Sequence, residues 1–125
     1  MGASKSILPS HQHGRTGEKA AVKFLRSRGL KVLMRNYHSR RGEIDIIARE
    51  KDILVFVEVK ARQEKFADKQ RPGEAVTAVK KRRLIATGEA YLRELKKEVP
   101  FRYDVVEVYL AGDDVLECRH YRQVF

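Results

Sequence analysis

Two adjoining runs decide the fold: Gly42-Glu43-Ile44-Asp45-Ile46-Ile47-Ala48 and Ile53-Leu54-Val55-Phe56-Val57-Glu58-Val59-Lys60. The second opens with an unbroken apolar stretch, Ile53 to Val57, which reads as a central strand covered on both faces. Residues two apart in a strand share a face. Leu54, Phe56, Glu58 and Lys60 therefore line one face, with the charges at its far end. A carboxylate and an ammonium that close an apolar face are costly to desolvate unless they pair or hold a metal.

The turn between the runs sets the register. A two-residue turn at Lys51-Asp52 places Asp45 opposite Glu58 and Glu43 opposite Lys60. A turn at Glu50-Lys51 shifts the pairing but keeps all four on one face. Directly opposed carboxylates repel across a ladder, and a divalent cation between them removes the conflict. Asp45 and Glu58 are thus candidate metal ligands, and oxygen ligands with several retained waters suit Mg²⁺ or Mn²⁺. Lys60 is placed to orient an attacking water or to offset phosphate charge.

Working outward, residues 1–13 read as a loose arm, since Pro9, the serines and the lack of periodicity argue against packing. The domain then spans 14–125. Residues 15–28 read as a helix ending at Gly29. Ala21, Val22 and Leu25 follow Glu18 at helical spacing, so Glu18 starts the apolar face and is a candidate third carboxylate; the alternative is a first-turn acid favoured by the helix dipole. Leu30 to Tyr37 reads as a first strand, and Arg40-Arg41-Gly42 turns the chain into the second, giving a three-strand antiparallel meander. Arg62 to Gly73 is polar and irregular. Glu74 to about Lys97 reads as a long helix with a stripe of Leu84, Gly88, Tyr91, Leu92 and Leu95. Arg102 to Leu110 reads as a strand parallel to an earlier one, and Val115 to Tyr121 adds an edge strand. The expected fold is α/β, with a mixed central sheet and flanking helices in the order α-β-β-β-α-β.

The chain has 125 residues and a formal net charge of +10. Residues 1–42 carry ten Lys or Arg against one acid, residues 43–58 carry two against five, and residues 59–83 carry nine against three. A carboxylate patch flanked by basic sequence suits a polyanion held across a metal site. The partner expected is nucleic acid, DNA ahead of RNA, with Arg15, Arg40, Arg41, Lys80, Lys81, Arg82 and Arg83 as its contacts. The alternative is a solvated basic surface, with Lys80 snorkelling from the core side of its helix. No apolar run spans a bilayer, so no membrane partner is expected. The single cysteine, Cys118, excludes an internal disulfide and points to a cytoplasmic setting. Met1 to Ser6 matches a myristoylation pattern, a short signal. The sequence leaves oligomeric state open, a homodimer included.

The order helix, meander, helix, strand, with an acid on the second strand and Glu-x-Lys on the third, resembles the PD-(D/E)XK nuclease superfamily, the restriction-endonuclease-like fold. The resemblance implies Asp45 and Glu58 as the acids, Lys60 as the lysine, and Glu18 as the leading-helix acid of junction-resolvase-like members. The superfamily's proline before the first acid is absent; Ile44 stands there. More narrowly, Gly14-Arg15-Thr16-Gly17-Glu18, Arg40-Arg41-Gly42-Glu43-Ile44-Asp45, Phe56-Val57-Glu58-Val59-Lys60 and Arg102-Tyr103-Asp104-Val105-Val106 look like the YraN family of small bacterial proteins. An Asp/Glu-x-Lys string is weak by itself in a chain that is 35% charged; its place at the end of an apolar strand makes it specific. The expected function is a Mg²⁺- or Mn²⁺-dependent endonuclease-like phosphodiesterase, with branched or flapped DNA as a candidate substrate. The competing expectation is a nucleic-acid-binding module that keeps the fold and cleaves nothing.

Overall fold

A computed structural model describes residues 9–63 and 77–125, with side chains from residue 15. The elements are α1 (Pro9–Ser27), β1 (Lys31–Ser39), β2 (Gly42–Glu50), β3 (Ile53–Gln63), α2 (Ala78–Leu95), β4 (Phe101–Ala111) and β5 (Asp114–Tyr121). They form one five-stranded sheet in the order β1-β2-β3-β4-β5. β1, β2 and β3 are the antiparallel meander, β4 runs parallel to β3, and β5 returns antiparallel at the edge. The α/β fold with a mixed sheet matches the sequence expectation, and among the described residues the elements follow the order α-β-β-β-α-β-β.

Several boundaries differ from that expectation. α1 starts at Pro9 rather than at Arg15, so residues 9–13, expected as a loose arm, enter the helix. A proline suits a first helical turn, where its missing N–H is not needed. Arg62 and Gln63, expected in a loop, extend β3, held by their pairing with Tyr109 and Leu110. α2 starts at Ala78 rather than at Glu74, because Thr77 caps it by accepting from Lys80 N at 3.2 Å. The remainder of the expected 62–73 loop, the residues before Thr77 and the first eight residues lie outside the described residues, as do the His11 and His13 side chains.

The sheet is covered on both faces. α1 lays Ala21, Val22 and Leu25 on Ile46, Ala48, Val55, Val57, Val106 and Val108. It ends at Gly29, whose φ of 91° suits the left-handed position after a helix. α2 packs Leu84, with Tyr91, Leu92 and Leu95, on Ile44, Ile47, Leu54, Phe56 and Tyr103. Phe56 sits centrally, its ring 5.2 Å from Tyr103 and 5.9 Å from Tyr91. Such a doubly covered centre is why Ile53–Val57 has no polar residue.

An ionic clamp sits on the α1 face of the sheet. The fully buried Asp104 accepts from Arg102 Nε at 2.9 Å and Gln123 N at 2.9 Å, and lies 2.7 Å from His120 Nε2. Arg102 also donates to Glu50 at 2.7 Å, tying β4 to β2. Burial works against the Asp104 charge, yet the His120, Arg102 and Gln123 hydrogen bonds hold its pKa below the ordinary value.

The approach of α1 depends on Gly17. A Cβ there would lie 2.9 Å from Ala61 Cβ and 3.9 Å from Val108 Cβ. Gly17→Ala should gain about 1 kcal/mol of helix propensity but lose about 1–3 kcal/mol to overpacking. We expect net destabilisation in a urea titration; a variant at least as stable as wild type would show that α1 shifts freely.

Candidate active site

The site lies on β3 just past the level of the ionic clamp and on the other face of the sheet, since Asp104 pairs with Val57, one residue before Glu58. The turn at Lys51-Asp52 sets the register: β2 and β3 pair from Glu50↔Ile53 to Ile46↔Val57. Continued one step, that register sets Asp45 across from Glu58. The paired stretch stops there, and Val59 N donates instead to Asp45 Oδ2 at 2.8 Å. The alternation of β2 also breaks at this residue. Ile46 packs on the α1 side and Ile44 on the α2 side, although they are two apart. Opposite the break on β1, Asn36 takes a φ of 54°, a conformation asparagine tolerates better than most residues. The irregularity brings the Asp45 side chain to the β3 backbone.

On β3, Leu54 and Phe56 belong to the α2-side core and Val55 and Val57 to the α1 side. By alternation Glu58 and Lys60 face α2. Lys80, in the first turn of α2, acts electrostatically on both Lys60 and Glu58. Burial first, then the Asp45 charge, pushes the Glu58 carboxyl up to about 7, against the pull of Lys60 and Lys80. Burial also raises Asp45; the Val59 N–H opposes this, and the Glu18 and Glu43 charges add to it. Lys60 is lowered, by burial first and then by Lys80. These are the directions expected of charges gathered in a half-buried site.

Glu18 reaches the same end of the sheet from α1 and acts on Asp45. Its carboxylate accepts from Arg35 at 3.0 Å and from Asn36 at 3.2 Å, with the side chain 15% exposed. Among the described residues no group of three or more His, Cys, Asp or Glu side chains is arranged to hold an ion. Two carboxylates still fit Mg²⁺ or Mn²⁺, since such ions are commonly held by one or two protein carboxylates plus waters and substrate phosphate. Sharing or expelling a proton is the pair's alternative to a cation.

Of the expected nucleic-acid contacts only Lys80 acts on the acid pair, while Lys81 lies 5.0 Å over the Phe125 ring. Arg40 and Arg41 are exposed in the β1–β2 turn, and Gly42 beside them backs onto Arg83 and Thr87 of α2. Lys80, Lys81 and Arg82 are exposed on the first turns of α2, and Arg15 is exposed on α1. The sequence pattern overlooked Arg35 and Asn36, whose partner is distant in sequence. It also overlooked Glu107, which pairs with Lys60 in the β3–β4 ladder. Glu107 is fully buried, accepting from Tyr109 Oη at 2.5 Å and Arg62 Nη2 at 3.0 Å. A lone acid inside the apolar run Val105–Leu110 was the signal for it.

The model of the uncharacterised protein family UPF0102 matches residues 17–108. That span takes in Glu18, Asp45, Glu58, Lys60 and Lys80. The chain belongs to the UPF0102 (YraN) family. It is 45% identical to a UPF0102 protein of Symbiobacterium thermophilum over 117 residues, covering 93% of this chain and 98% of that one. A Caldicellulosiruptor saccharolyticus UPF0102 protein is 41% identical, over 90% of this chain and 95% of its own. A Chromohalobacter salexigens UPF0102 protein is 43% identical, over 84% of each chain. Among the described residues of this UPF0102 protein, no helix is long and apolar enough to cross a membrane.

The raised Glu58 carboxyl makes stability depend on pH. Its folded value of about 7 lies above its ordinary 4.5, so folding carries a penalty that is absent below pH 4.5 and grows as pH rises to about 7. Glu58→Gln removes that penalty, about 3 kcal/mol. We expect the variant to gain on wild type between pH 5 and pH 8 in denaturant titrations with chelator. Parallel pH profiles would mean that Glu58 titrates as an ordinary carboxylate.

Proposed function

We propose that this UPF0102 protein is a divalent-metal-dependent phosphodiesterase acting on nucleic acid, DNA ahead of RNA. One observation carries the proposal: two desolvated carboxylates, Asp45 and Glu58, meet at the end of a buried strand with Lys60 and Lys80 beside them. That grouping is poor for stability and apt for holding a cation against a phosphate.

Asp45 and Glu58 are the ligands, with one Asp45 oxygen fixed by Val59 N. Mg²⁺ or Mn²⁺, when bound, would polarise the phosphoryl group and lower the pKa of a water. Lys60, its pKa lowered, is suited to orient that water and receive its proton. Lys80 offsets charge on the phosphate oxygens. Arg40, Arg41, Lys81, Arg82, Arg83 and Arg15 supply the sequence-independent attraction to the backbone. Branched or flapped DNA remains the candidate substrate form, and a cytoplasmic setting the expected one.

A module that binds nucleic acid and cleaves nothing is favoured by one feature: Glu18 is engaged by Arg35 and Asn36 instead of completing a three-carboxylate set. Cleavage assays on labelled duplexes, junctions, flaps and single strands of DNA and RNA, with Mn²⁺ and Mg²⁺, separate the two. We expect Lys60→Ala to lose cleavage by roughly 10²–10⁴-fold while keeping metal and nucleic-acid binding, and Glu58→Gln to lose metal and cleavage together. Binding without cleavage of any structure establishes the module.

Lys80→Ala should weaken binding uniformly across sequences and lower the slope of log affinity against log salt by about one. Fluorescence anisotropy at graded salt measures it; affinity that does not change with salt would refute the electrostatic reading.

A further inference from the structure

The sheet ends in two unpaired edges among the described residues, β1 and β5. An open edge is a row of backbone donors and acceptors that a second strand can complete. β1 holds Lys31, Arg35 and His38 and no acid, so two copies pairing there would bring only basic side chains together. β5 differs. Around Cys118, Glu117 and Arg119 stand in mirror positions, and on one chain they already pair at 2.7 Å. In an antiparallel pairing of two β5 strands centred on Cys118, each Glu117 falls opposite the other copy's Arg119. Opposite charges facing across a ladder stabilise it, and like charges oppose it.

A groove beside β5 supports the same partner. It has a volume of about 550 Å³ and lies between α1 and β5. Ala20, Phe24, Val115 and Cys118 line it, with Lys19 and Lys23 alongside. Cys118 pairs with Val108 and faces the α1 side. A second β5 laid along the edge would place its own Cys118 and its neighbours on that face at the groove's open side. The β4–β5 ladder skips Leu116, and Val115 and Leu116 are 45% and 51% exposed. In this pairing Val115 comes opposite Tyr121 and Leu116 opposite His120 of the second copy.

We propose that β5 is a homodimer interface, two copies joining antiparallel about Cys118 into one continuous ten-stranded sheet. The interface is isologous, as a two-fold dimer requires. It lies at the far edge of the sheet from the β1 and β2 side of the carboxylate site and does not depend on the function proposed for that site.

Sedimentation velocity of the full chain over a wide concentration range should show a species of twice the 14.5 kDa chain mass. Glu117→Arg should weaken dimerisation by about tenfold or more, and Glu117→Arg with Arg119→Glu should restore it. Directly opposed residues of an antiparallel pair lie within disulfide range, so copper-phenanthroline should cross-link wild type through Cys118 and cross-link Glu117→Arg far less. Cys118→Ser should dimerise without cross-linking. A monomer at every concentration overturns the proposal. So does a dimer that Glu117→Arg leaves intact, or a cross-link formed equally by wild type and Glu117→Arg. Should Glu117→Arg fail to fold by circular dichroism, the charge-swapped pair and the wild-type cross-link decide the matter.

Discussion

Two carboxylates must share one end of a buried strand, and much of the local architecture follows from that constraint. Asp45 and Glu58 come together because β2 and β3 are joined by a tight turn and keep one register up to Ile46↔Val57. Had both strands continued their ladder, the side chains would simply oppose each other. Instead the β2 alternation breaks, Asn36 adopts a left-handed conformation opposite, and Val59 N turns to the Asp45 carboxylate. The ladder gives up regularity to hold a carboxylate in place, a common use of local irregularity near functional sites.

The other face of the same sheet is a control experiment in charge burial. Asp104 is as deeply buried as any described residue, yet its pKa is lowered. Arg102, His120 and the Gln123 N–H surround it, so its charge is compensated within the chain. Glu58 is less buried, yet burial and then the Asp45 charge push its carboxyl up to about 7, because no partner compensates them as Arg102 and His120 do for Asp104. Burial alone therefore does not distinguish a structural carboxylate from one awaiting a ligand. The sign of the residual field does. By that criterion the Asp104 cluster is cement, and the Asp45–Glu58 pair is a site.

The two helices serve different ends. α1 reaches the sheet closely enough to deliver Glu18 because Gly17 has no side chain to place against Ala61. α2 carries Lys80 to Lys60 from the first turn after its Thr77 cap. The UPF0102 match covers α1 from Gly17 on, all of α2 and all three meander strands, but a shared fold leaves the chemistry to the particular residues in the site. Here the argument for phosphoryl chemistry rests on the acid pair and two lysines, together with the basic residues that would bring a polyanion to them.

Much was legible in the sequence because its periodicities are physically forced. Ile53–Val57 can only be a strand covered on both sides, the α2 stripe can only face a core, and Gly29 can only end a helix. Either short turn, Lys51-Asp52 or Glu50-Lys51, brought Asp45 near Glu58 by counting, and the observed Glu50↔Ile53 pairing chose the first. Helix starts were less legible: Pro9 and Thr77 act locally, and competing polar residues nearby suggest other starts. What only the tertiary structure decided are the partners that meet across long stretches of chain. Glu18 finds Arg35 and Asn36, Asp104 finds His120 and the tail, and Glu107 finds Arg62 through the parallel β3–β4 pairing. Pattern within a segment sets which face a residue takes. Which charge waits on the other side of that face is set by how the segments pack, and that field separates a buried carboxylate at rest from one poised for a cation.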